Sequence, residues 1–158
     1  MNDRSAFPTI ILAAFLSGLL DLVAAIIVYS MLLNKTNALM IMQSVASGVF
    51  GKSAYSGGIK MAVIGLLLHF VISLIFTLLY FFVYPRISFL RQERVLSGFI
   101  YGIFIWLVMN FIVLPIAFSG LFPSHLPSIL IGIIIIIVAV GMPVSIITHY
   151  YYTRKLLR

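Results

Sequence analysis

Asp21, His69 and Asn110 are the residues of this chain whose types could do chemistry together. Each sits inside a long apolar run, and a charge at the centre of a membrane helix costs about 2.5 to 3.5 kcal/mol on insertion scales. If the first run crosses a membrane and the second returns, Asp21 lies about 14 residues, or roughly 21 Å, from one face. His69 lies about 10 residues, or roughly 15 Å, from the other, so in a span near ~36 Å the two levels agree within one helical turn. Asn110, about 15 residues or roughly 22 Å into the third run, reaches the same height. A carboxyl beside an imidazole can accept its N–H, carry a proton or hold a cationic solute, and the Asn amide can satisfy either group. The same trio can equally act as a polar clasp between helices, worth about 0.6 to 2 kcal/mol per hydrogen bond. The sequence leaves both readings open.

The elements that must position these residues are legible from composition. Of 158 residues, 63% are hydrophobic and 8% charged, and the mean hydropathy is +1.24. Soluble domains carry roughly a quarter charged residues. Four apolar runs, at about 7–33, 59–83, 95–118 and 128–152, are each long enough to cross a bilayer, which takes roughly 20 residues. The expectation is one all-α transmembrane domain over 1–158. The first run is too long for a signal peptide, and its flank holds Arg4 beside Asp3, so it reads as a retained helix. Pro8 suits a first helical turn, and Pro85 should close the second helix.

Between the first two runs, Asn37 can cap a helix over 38–50. About 13 residues rise only about 20 Å, too short to span. Gln43, Ser44, Ser47, Gly48 and Gly51 recur on one face, so this amphipathic piece should lie in the interface or dip into the bundle as a re-entrant lid.

Seven of the ten Lys and Arg residues (Arg4, Arg86, Arg91, Arg94, Arg154, Lys155, Arg158) fall on one side of this topology, and Lys35, Lys52 and Lys60 on the other. The positive-inside rule then places both termini in the cytoplasm of a cell inner membrane. Tyr80, Phe81, Phe82, Tyr84 and Tyr150 to Tyr152 read as interfacial anchors at that same side. The net charge of +7 is therefore a topology signal and an attraction to membrane lipid; no nucleic-acid module accompanies it.

Ala14-x-x-x-Gly18 and Gly98-x-x-x-Gly102 are small-residue pairs that permit close helix approach, within the chain or in a homo-oligomer. Pro115 and Pro143 should kink their helices; Pro143 leaves the Ala139 carbonyl without its usual donor. Catalysis has less to stand on. Ser73 follows His69 by four residues on one face, but membrane helices use Ser mostly for helix contacts. The absence of Cys excludes disulfides, thiolate metal sites and a Cys nucleophile. His69, His125 and His149 fall at three depths, so no metal, haem or other cofactor is expected.

Gly65-Leu-Leu-Leu-His69, then Tyr80, Pro85, Gly98, Gly102, Asn110 and Pro115, is similar to the YagU-like four-helix inner-membrane proteins of bacteria, over helices two and three. The resemblance implies a small inner-membrane bundle loosely associated with acid tolerance, with no mechanism to carry over. Two functions stand side by side: a transporter-like or proton-coupled protein using Asp21 and His69 on an unknown small solute or proton, and a structural or assembly subunit whose polar residues only clasp helices. Intramembrane catalysis is a third class.

Overall fold

The computed structural model describes residues 6–118 and 125–156, with the side chains of 154–156 excepted. The expectations placed on Arg4 and on the side chains of Arg154, Lys155 and Arg158 lie outside these described residues. Four helices are long and apolar enough to cross a membrane: Ala6–Leu32, Gly58–Arg86, Arg94–Ala117 and Leu126–Thr153, here called spans one to four. A shorter helix, Ala38–Phe50, is inserted between spans one and two, and no strand occurs among the described residues. The chain is a multi-pass membrane protein, because such helices satisfy every backbone group internally and present apolar side chains outward.

The inserted helix starts where the sequence says it should. The Asn37 side chain accepts a hydrogen bond from the Met40 N–H at 2.8 Å, meeting one of the donors that a helix start leaves open. Gly51, at φ +63°, ends it in a conformation that favours glycine. Its buried stripe is Met42, Gln43, Ala46 and Ser47, which turns the polar and small face inward against span two. A Cβ added at Gly65 would run into the Met42 carbonyl, so the two backbones touch there. The Gln43 amide donates to the Gly58 carbonyl at 3.0 Å.

Spans three and four meet just as closely. Cβ atoms built at Gly98 and Gly102 would meet the Gly141 carbonyl at 3.1 Å and the Ile137 Cα at 2.6 Å. The Gly98-x-x-x-Gly102 face is thus used within the chain, against span four. Ala14 and Gly18 are likewise buried in span one, where Phe70 and Ser73 of span two cover Gly18. Without a hydrophobic drive between helices in lipid, such close approach and the polar contacts it permits hold the bundle.

Both prolines sit just after a π-helical stretch. Met109–Val113 precedes Pro115, and Ile137–Gly141 precedes Pro143. A proline has no N–H to return to residue i−4. The ladder relaxes to longer steps, with Leu114 N–H on the Met109 carbonyl and Met142 N–H on the Ile137 carbonyl. A third π stretch, Ile26–Leu32, ends span one.

The aromatic anchors expected at the end of span two are mostly not anchors. Tyr80, Phe81 and Tyr84 are 1%, 3% and 1% exposed. The two tyrosines are held inside by hydrogen bonds: the Tyr80 hydroxyl reaches Ser97 at 3.0 Å and Ser145 at 2.8 Å, and Tyr84 meets His149 Nδ1 at 2.9 Å, while Phe81 packs against the rings of Tyr151 and Tyr152. Tyr101 donates to the Phe76 carbonyl. Tyr80, Tyr84 and Tyr101 belong to the buried core where spans two, three and four converge. Only Phe82 and Tyr150 of the set face outward; they carry the Arg86 and Arg94 guanidinium groups 3.9 and 5.5 Å from their ring centres.

Candidate functional site

Two cavities occupy the other half of the bundle. The larger, about 650 Å³, is walled by spans one to four and the inserted helix. The smaller, about 560 Å³, lies between spans one, three and four, again with the inserted helix on its border. Asp21, Ser44, Asn110, Leu114 and Ile136 line both, so Asp21 and Asn110 stand on the boundary between them. The three residues that the helical rise places at one height, Asp21, His69 and Asn110, do line one space, the larger cavity.

They do not form the expected buried Asp/His pair. Asp21 and His69 are both half-buried, and no hydrogen bond or ion pair joins them. His69 Nε2 instead lies 2.8 Å from the Gly18 carbonyl. A carbonyl only accepts, so Nε2 carries a proton in this arrangement. The cause is Gly18: without a side chain it lets span two approach until an added Cβ would stand 2.9 Å from the Phe70 ring. Its carbonyl then comes within reach before the Asp21 carboxyl does. Ser73, one turn further along, donates to the Ala14 carbonyl at 2.8 Å and sits 3.1 Å from the Ser17 hydroxyl. His69 and Ser73 therefore bind span two to the backbone of span one. This arrangement leaves neither as a nucleophile with an activating base.

Asn110 also serves its helix. Its side-chain Nδ2 donates to the Trp106 carbonyl at 2.9 Å, inside the segment whose ladder the π stretch has loosened. That bond leaves the amide oxygen as the acceptor end of the residue.

Asp21 is the exception. Among the described residues its carboxylate has no hydrogen-bond partner, and no Lys or Arg lines either cavity. Tyr29, Trp106, His125 and Ser128 complete the polar wall of the smaller cavity. Leu68, Ile72, Phe76, Ile105 and Val140 give the larger one its apolar wall. No group of three or more His, Cys, Asp or Glu that could hold a metal ion occurs among the described residues.

Reasoning from sequence alone missed three parts of this region. Ser44 was noticed as one of a stripe, not as a cavity residue. The close-packing roles of Gly65 and Gly141 are not visible in sequence, because a lone glycine has no partner until the crossing helix is known. Trp106, the single tryptophan, gave no signal beyond its type. Comparison of the chain with protein-family models, with curated proteins and with solved structures finds no match.

Proposed function

We propose that this membrane protein is a small carrier of the cell inner membrane, with both termini cytoplasmic, in which the Asp21 carboxyl takes up and releases a proton or a small solute. The observation that supports this most is a mid-span carboxylate on the boundary of two cavities, without a hydrogen-bond partner among the described residues. An ionisable residue costing a few kcal/mol at that depth, and holding no helices together, marks a pathway or binding site by default. The uneven Lys and Arg distribution supports the orientation. The YagU-like resemblance, with its loose link to acid tolerance, belongs to the same proposal.

The structural reading keeps a share of the site. The bonds from His69 to Gly18 and from Asn110 to Trp106 favour a clasp for those two residues. The proton-coupled role thus narrows to Asp21, with His69 as the residue that holds its helix in place.

Solid-supported membranes carrying proteoliposomes test this directly. A pH step should evoke a transient current as protons reach a mid-membrane site. Traces indistinguishable from those of protein-free liposomes would overturn the proposal.

A further inference from the structure

The two cavities and their single carboxylate also say what kind of solute fits. Among the described residues, Asp21 is the one acidic residue lining either cavity and no Lys or Arg lines them; His69 and His125 are the only ionisable bases there. A carboxylate in apolar surroundings needs a counter-charge. A transition-metal ion would want several His, Cys or carboxylate ligands at once, and no group of three or more His, Cys, Asp or Glu occurs among the described residues. The larger cavity offers something else. Its volume of about 650 Å³ lies within the roughly 300 to 1,000 Å³ of small-molecule sites. Leu68, Ile72, Phe76, Ile105 and Val140 would bury hydrocarbon there. On the polar side, Tyr29 and Trp106 line the smaller cavity together with Asp21, and aromatic side chains can attract organic ammonium groups.

The geometry points to an amphiphilic monovalent organic cation as the solute: an alkylammonium whose charged head lies at Asp21 and whose chain fills the larger cavity. This rests on the carrier reading above and names its solute class. The head exchanges against the Asp21 proton, so the carboxyl is neutral when empty and paired when loaded. Ser44 and the Asn110 oxygen, on the same boundary, are the remaining polar neighbours of the head.

Trp106 makes the test simple. It is the only tryptophan and lines the smaller cavity, so its fluorescence reports on that site without a label. The detergent-purified protein is titrated with ethyl-, butyl- and hexyltrimethylammonium, and with hexanol and hexanoate as neutral and anionic controls. Affinity should rise about threefold to fourfold per added methylene, and hexyltrimethylammonium should bind at least tenfold more tightly than hexanol or hexanoate. Asp21→Asn should weaken hexyltrimethylammonium at least tenfold and leave hexanol unchanged, with native helix content and size-exclusion profile. The chain-length series on the wild-type protein decides the matter even if that variant folds badly. Equal binding of cation, alcohol and acid overturns the solute class. If no alkylammonium binds while the pH-step current persists, the solute class falls and the carrier reading stands. If both signals are missing, both fall.

Discussion

Gly141→Val is expected to destabilise the protein by about 3 kcal/mol, the upper end for overpacking. A Cβ at position 141 would run into the Gly98 carbonyl and stand 2.8 and 2.9 Å from the Gly102 N and Cα. All three obstacles are backbone atoms of span three, so no side chain can swing aside. Spans three and four would have to separate, opening the Ser97–Ser145 hydrogen bond between them. Gly48→Ala is the control. Its added Cβ meets the Ala117 Cβ at 3.5 Å, an ordinary contact, and Ala is favoured over Gly in a helix by about 1 kcal/mol. Unfolding in a mixed-micelle denaturant titration should show a clear loss for the first variant and none for the second. Equal midpoints for Gly141→Val and wild type would contradict the packing described for spans three and four.

Asp21→Asn should abolish the pH-step current, a loss of tenfold or more, while the protein stays folded. Asn keeps the shape and removes the charge. The carboxylate makes no hydrogen bond among the described residues, so stability has little to lose; removing an unpaired acid from mid-membrane even relieves part of its insertion cost. His69→Gln separates this account from a proton relay shared by the two residues. The Gln amide can donate to the Gly18 carbonyl much as Nε2 does, so at least half the current should remain. Stability should change by no more than about 1 kcal/mol, the worth of one such bond. A folded His69→Gln protein without current would restore the Asp/His relay and contradict the clasp assigned to His69.

What the sequence could say, and where it stopped, follows from geometry. The spans are legible because apolar length is a direct requirement of the bilayer, and the Asn37 cap because its side chain acts on its own neighbours. That Asp21, His69 and Asn110 can border one space is legible because helical rise is nearly constant, and all three line the larger cavity. Their contacts are not legible. Rise gives depth, but each residue also turns about 100° around the axis, and the facing helix is unknown. His69 therefore reached a backbone carbonyl exposed by Gly18, an acceptor that sequence patterns do not display. The π stretches before Pro115 and Pro143 shift the faces of spans three and four as well. Tyr80, Phe81 and Tyr84 were misread for a related reason. Aromatics near a helix end resemble an interfacial belt, and only partners on other spans (Ser97 and Ser145 for Tyr80, His149 for Tyr84) reveal that these rings face inward.

Reactivity at position 21 tests the central claim, that Asp21 faces a cavity that water and cations enter. The chain has no cysteine, so Asp21→Cys introduces a single thiol. Methanethiosulfonate ethylammonium, a small cationic reagent that attacks ionised thiols, is applied to the protein in lipid nanodiscs. Leu67→Cys serves as reference, since Leu67 is 61% exposed on the outward face of span two and would meet lipid there. The account predicts rapid modification of Asp21→Cys and no modification of Leu67→Cys on the same timescale. An unreactive Asp21→Cys in a folded protein would mean a dry, closed position, and would contradict the account at its centre.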